Sequence, residues 1–203
     1  MPLFRSKAED KVRAAGYDPA RLPPGQYLTE KWPVLHAGSV PTIDVATWEL
    51  RIFGLVEEEV TLDYEQLRAL RATDITTDIH CVTRWSRFDA GFGGVHWREL
   101  AALCKPLPAA QFVVAHAPQG FTANLPLAAL EEDDAMVCHE ADGEPLTAEH
   151  GGPVRLVVPS RYFWKSAKWL TGLELVSADK PGFWERLGYH NEADPFREER
   201  YGF

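Results

Sequence analysis

Apolar and polar residues alternate with period two from Trp48 through Leu50 to Ile52, and Gly54 closes the run, the pattern of a strand with one buried face. In residues 61–70 the spacing becomes helical: Leu62, Tyr64, Leu67 and Leu70 follow Thr61, a residue type that caps helix N-termini, so a short helix is expected. Residues 73–82 return to a strand pattern, which puts Cys81 at or just beyond the strand's end, where functional loops commonly lie. Residues 95–103 predict a turn leading into a second short helix, 111–115 a strand ending at His116, and 124–130 a further short helix or turn. Residues 136–140, 154–159 and 173–176 read as strands, the first closed by the turn dipeptide Asp142-Gly143. Ahead of these, residues 4–15 mix charged and small residues as a short surface helix does. Residues 17–41 are broken by Pro19, Pro23, Pro24, Pro33 and Pro41. Each proline removes a donor and restricts its predecessor, so an extended wrapping segment is expected there, held to the body by Tyr27, Trp32, Val34 and Leu35. Short helices scattered among strands indicate an α+β fold with mixed sheets, without the regular long helices of a doubly wound sheet.

Composition sets the scale. A chain of 203 residues that is 45% apolar can enclose one substantial core, so a single domain over 1–203 is expected, with 1–41 as its wrapping segment. A net charge of -9 argues against nucleic acid as a general partner, because displacing counterions from phosphates needs a basic surface. The acidity is uneven: it gathers at 57–59, at 131–134 and beyond Glu185, whereas residues 150–169 carry Arg155, Arg161, Lys165 and Lys168 and no carboxylate. No apolar run is long enough for a membrane span, and residues 1–11 lack a secretory pattern. Cys81, Cys104 and Cys138 form no close pair. Together these features give a cytoplasmic expectation.

Cys81 attracts the chemical reading first. A thiolate is a nucleophile and a soft metal ligand, and Arg84 and Arg87 supply nearby positive charge that favours the ionised form. Taken alone, a buried structural thiol is as good a reading as a nucleophile or redox thiol and a metal ligand together. A zinc site from His80, Cys81, Cys138 and His139 is disfavoured, because adjacent strand residues point to opposite faces. A hydrolase using His116 or His139 as base lacks a glycine elbow around the cysteine. Cys104 and Cys138 fit a core, as do most of the tryptophans. Arg155, Arg161, Lys165 and Lys168 offer forked and point-like cationic donors suited to a phosphate.

The order of several blocks narrows these choices. Cys81-Val82-Thr83-Arg84-Trp85-Ser86, followed by Gly91-Phe92-Gly93-Gly94-Val95-His96-Trp97, resembles the cofactor-cysteine region of the sulfite oxidase-like molybdopterin-dependent oxidoreductases. Gly120-Phe121-Thr122-Ala123-Asn124-Leu125 is similar to that family's active-site loop. His150-Gly151-Gly152-Pro153-Val154-Arg155 and Lys165-Ser166-Ala167-Lys168-Trp169-Leu170 resemble its pterin-phosphate segment. The likeness spans residues 32–176. It implies a sulfite oxidase-type molybdopterin-binding fold and a Mo-molybdopterin cofactor of one molybdenum and one pyranopterin dithiolene. By the same resemblance Cys81 is the protein ligand to the metal; beside it Arg84, the catalytic candidate, or Arg87 is expected to steer an anionic substrate or stabilise the oxo end. Pterin contacts are implied for His36, His116, His150, Arg155, Phe163, Trp164 and Lys165. The implied reaction is oxygen-atom transfer on a small oxo-compound, with electrons exchanged with a separate protein or small redox carrier. Two departures bear on substrate: Val34 stands where sulfite oxidases carry a sulfite-binding arginine, and Phe121 where they carry a tyrosine. Losing a guanidinium and a phenol shifts the expectation toward a sulfoxide or N-oxide and away from sulfite oxidation proper. A catalytically silent cofactor-binding protein is the remaining alternative. The acidic tail 185–203 is expected to wrap the core or to make a subunit contact.

Overall fold

The computed structural model of the chain describes residues 7–202. Residues 4–6 of the expected first helix, the extreme N-terminus and Phe203 therefore lie outside the described residues. Eleven strands fall into two sheets. The first contains β1 (Tyr27–Leu28), β4 (Ala72–His80), β5 (Trp85–His96), β8 (Met136–Ala141), β9 (Glu144–Pro145) and β10 (Arg155–Val157). The second contains β2 (Glu49–Gly54), β3 (Val60–Asp63), β6 (Phe112–His116), β7 (Thr122–Pro126) and β11 (Gly172–Val176), in the order β3-β2-β11-β6-β7. Both sheets are mixed: β11 runs parallel to β2 but antiparallel to β6, and β5 runs parallel to β1 but antiparallel to β4 and β8. Three short helices among the described residues, α1 (Lys7–Ala14), α2 (Tyr64–Arg68) and α3 (Trp97–Cys104), complete the expected α+β architecture with mixed sheets. No helix among the described residues is long and apolar enough to cross a membrane.

Each sheet's inner face feeds one large core, built around Leu50, Ile52, Leu100, Val113, Leu125, Val137, Leu156 and Leu173. The alternation of strand side chains then creates a second, smaller cluster on the opposite face of the first sheet. Met136, Cys138 and Val157 point there while their neighbours Val137 and Leu156 point into the large core. Ile79, Cys81, Trp85, Ala90, Phe92 and Phe163 complete this second cluster, so Cys81 sits on the face away from the main core.

The backbone adds one strand and corrects two sequence expectations. Residues 85–94, to which the pattern assigned no element, join Val95 and His96 in β5 (Trp85–His96), the central strand of its sheet. At Gly94 the backbone of β8 leaves no room for a side chain: a Cβ there would lie 2.2 Å from the Val137 carbonyl oxygen. The register also shifts between Gly93 and Gly94, so these glycines serve close approach and a bulge. Residues 61–63 belong to β3, and the helix that follows is capped by Asp63, not Thr61. Asp63 accepts from the Gln66 N–H at 2.8 Å while the Gln66 side chain accepts from the Asp63 N–H at 2.9 Å, a capping box. Residues 122–126 form β7 against β6 and only Leu127–Ala129 makes a helical turn, since β6 draws its second partner from this segment. The C-terminal tail packs on the body: Tyr162 donates its N–H to the Ala193 carbonyl at 2.7 Å, and Phe183, just before the tail, donates to that of Thr122 at 2.8 Å.

Candidate functional site

Cys81 is the first residue after β4 and opens a tight turn into β5. Its N–H donates to the Trp85 carbonyl at 2.9 Å, and its own carbonyl accepts from the Arg84 N–H at 2.9 Å. The turn forces Arg84 to a φ of 77°. The thiol is 9% exposed and accepts from the Thr83 hydroxyl at 3.2 Å. Burial pushes its pKa up, and the Thr83 hydrogen bond and the Arg200 charge partly oppose that shift.

The thiol faces a cleft of about 420 Å³. One wall is the extended segment carrying Trp32, Leu35, His36 and Gly38; another is the Pro118, Gln119 and Phe121 loop with Phe183, Trp184 and Tyr189 of the tail. Trp85, Arg155, Phe163, Lys168 and Trp169 also line it. Arg155 is 1% exposed. It donates to the carbonyls of His150 at 2.7 Å and Ser166 at 2.9 Å, makes a 3.4 Å contact to that of Leu156, and stacks its guanidinium 4.3 Å from the Phe163 ring centre. All these acceptors are neutral, and the contacts do not exhaust the guanidinium's donors. Burial lowers its pKa to about 10. Lys168 lies over Trp169 and donates to the Glu149 carbonyl at 2.5 Å; burial, and then Arg155, lower its pKa to about 8. A buried cation with no carboxylate in its hydrogen-bond set, backed by a second cation, is electrostatically prepared for an anion.

The sequence-derived residues divide between this cleft and its surroundings. Cys81, His36, Arg155, Phe163 and Trp164 line it. His36 sits edge-on to Trp169 at 5.8 Å, and Trp164 donates from its indole to Glu185 at 2.8 Å. His150 stands behind the wall, stacked 4.0 Å from Trp32 and bonded to the Trp32 carbonyl at 3.2 Å. Lys165 is not free for phosphate: its fully buried ammonium is tied to Glu185 at 2.7 Å and to the Asn124 carbonyl at 2.8 Å. His116 turns away onto Glu174 at 3.1 Å. Arg84 is exposed and outside the cleft lining, while Arg87 pairs with Asp142 and Arg161 approaches Glu132. The sequence reading missed Phe183, Trp184 and Tyr189 as cleft residues and ranked Lys168 below Lys165. The absence of any carboxylate in 150–169 was a signal common to both lysines and could not separate them. Cys104 and Cys138 are buried thiols, with burial raising their pKa values to about 11 and about 12.

Among the described residues no group of three or more His, Cys, Asp or Glu side chains converges as a metal site. A metal held by Cys81 would therefore have to bring its other ligands with it. An anionic cofactor carrying its own sulfur ligands suits this donor set: one soft thiol, an apolar and aromatic cleft, and the two cations Arg155 and Lys168.

Comparison with known proteins points the same way. Residues 37–184 match the family described as the oxidoreductase molybdopterin binding domain. The chain is 43% identical over 182 residues to the uncharacterized oxidoreductase YuiH of Bacillus subtilis, covering 89% of this chain and 92% of that protein. It is 25% identical over 194 residues to the putative protein-methionine-sulfoxide reductase subunit YedZ1 of Azospira oryzae, covering 93% and 74% respectively. The crystal structure of the sulfane dehydrogenase SoxCD from Paracoccus pantotrophus superposes with a TM-score of 0.63 at 23% identity, over 69% of this chain and 41% of that one.

Proposed function

The chain belongs to the oxidoreductase molybdopterin binding domain family, and on that premise we propose that it is a molybdenum-dependent oxidoreductase that transfers an oxygen atom to or from a small oxo-compound. In this reading the whole chain is one cofactor-binding domain, cytoplasmic, with electrons passing to or from a separate protein or small redox carrier. The observation that carries it is the pairing, in one cleft, of the Cys81 thiol with the buried Arg155 guanidinium that has no carboxylate among its acceptors.

Cys81 would hold the metal, Arg155 and Lys168 the cofactor's anionic end, and His36, Phe163 and Trp164 its flanks. When bound, Mo-molybdopterin supplies reversible oxygen-atom exchange coupled to two-electron redox change. Thr83 orients the sulfur through its hydroxyl. Burial disfavours a free thiolate here, so Cys81 ionises when a cation arrives to share its charge. The Trp32–His150 stack holds the extended segment over the cleft and keeps water from its aromatic side. Lys165 and Glu185 act one layer back, fixing the tail that brings Trp184 and Tyr189 to the rim.

The rim bears on substrate class. Phe121 packs against Phe183 at 5.6 Å, and Val34 stands exposed where sulfite oxidases carry a guanidinium. An aromatic rim without that added cation favours an oxo-compound with apolar substituents over a small dianion. A sulfoxide is the preferred candidate and an N-oxide the next; the name of the Azospira relative, a putative methionine-sulfoxide reductase subunit, agrees with the first. The test is steady-state kinetics of cofactor-loaded protein on sulfoxides and N-oxides with a reduced dye as donor, and on sulfite with an oxidised dye as acceptor. Sulfoxide turnover should exceed sulfite turnover by roughly 100-fold or more in kcat/KM, as expected where a dianion lacks its paired cation. Preferential sulfite oxidation would overturn the substrate reading. Loaded protein without turnover on any of these substrates would favour a silent cofactor carrier.

A further inference from the structure

Two segments that lie outside the family match of residues 37–184 converge on the peptide carrying Cys81. From the proline-broken N-terminal segment, the buried Gln26 side chain donates its Nε2 to the Cys81 carbonyl at 3.0 Å. From the C-terminal tail, the buried Arg200 donates its Nη1 to the Val82 carbonyl at 2.7 Å. Its Nη2 reaches the Pro24 carbonyl at 3.3 Å, so one guanidinium ties the cysteine turn to the N-terminal segment. The Tyr162 ring lies 4.9 Å beneath it and fixes its plane. Like Arg155, Arg200 spends these hydrogen bonds on carbonyls and not on a carboxylate.

We propose that Gln26 and Arg200 are positioning residues: a two-sided clamp that holds the Cys81-Val82 peptide so that the sulfur faces the cleft in the geometry metal binding requires. This rests on the reading of Cys81 as the metal ligand. The need for a clamp follows from where the sulfur is. Cys81 belongs to a four-residue turn whose Thr83 and Arg84 are exposed and whose Arg84 adopts a left-handed conformation. The turn's own hydrogen bonds close it but do not by themselves fix how it sits on the body, and a metal ligand must be held to within about half an ångström of its working position. Two consecutive carbonyls gripped from opposite ends of the chain provide that restraint.

The clamp is tested with R200Q, R200K and Q26L, each read in metal-free and in cofactor-loaded protein. In metal-free R200Q and Q26L the Arg84 amide, whose hydrogen bond ends on the Cys81 carbonyl, should exchange with solvent about tenfold faster, the effect of losing one strong hydrogen bond. Amides inside β6 should keep their wild-type rates. In loaded protein the thiolate-to-metal absorption should shift and molybdenum should dissociate faster. R200K should restore part of both effects, because one ammonium can reach the Val82 carbonyl without also bridging to Pro24. Wild-type exchange at Arg84, equal acceleration throughout the chain, or an unchanged metal spectrum would each overturn the clamp. A wild-type protein that never acquires molybdenum would overturn the metal reading instead, while the exchange measurements would still decide whether these residues hold the turn.

Discussion

At the scale of single residues, the two lysines of the basic stretch show what a sequence conveys and what it omits. Lys165 and Lys168 share a carboxylate-free neighbourhood in sequence, but Glu185, twenty positions further on, folds back onto Lys165 alone. No local pattern announces that pairing. It leaves Lys165 a buried structural ion and Lys168 a cleft cation whose pKa is lowered to about 8. For Lys168 the folded value lies below its ordinary 10.5, so the unfolded chain binds more protons between those limits. The cost of holding the charge is therefore present in full below pH 8 and vanishes as pH rises toward 10.5. Lys168→Met, which keeps the aliphatic stem, should stabilise the metal-free protein at pH 7 by about 1 kcal/mol, discounted for partial exposure. That gain should disappear near pH 10.5 in denaturant titrations, while cofactor retention weakens. Lys165→Met should do the opposite to stability: stranding Glu185 in the interior should cost roughly 3–5 kcal/mol. The double variant with Glu185→Gln should cost less than the sum of the two single changes, measured by the same titrations.

At the scale of elements, most strands were legible because alternation or apolar runs marked them: β2, β4, β6, β8, β10 and β11 lie close to where the pattern puts them. The extended N-terminal stretch followed from its prolines. β5 was illegible because glycines at 91, 93 and 94 interrupt any apolar alternation, and only the partner strands reveal that they permit close packing. Local strand pairing moved the cap of α2 to Asp63 and turned 122–126 into β7, each segment claimed by the strand just before it in the chain, β2 and β6. Gly94 offers the sharpest test. Gly94→Ala puts a methyl against the backbone of β8, and it should destabilise by roughly 1–3 kcal/mol or more, because backbone yields less than a side chain. Thermal melting of the variant checks this. Gly91→Ala, whose added methyl would lie no closer than 3.5 Å to Asp142, should lose much less.

At the scale of the whole molecule, Cys81, Arg155 and the aromatic lining come from separate parts of the chain, and the second face of the first sheet is what brings them together. Cys81, His36, Arg155, Phe163 and Trp164, singled out by ordered motifs, all line one cleft. The tail residues Phe183, Trp184 and Tyr189 were not singled out, because aromatic residues in an acidic tail carry no address until the tail is folded back. Whether this cleft holds a molybdenum cofactor through Cys81 is decided by metal and pterin analysis of the wild-type protein and Cys81→Ser, both purified from a host that makes molybdopterin. Each wild-type chain should carry about one molybdenum and one pterin, with the metal or its thiolate-dependent spectrum lost in the variant. Wild-type protein free of molybdenum and pterin would contradict that assignment.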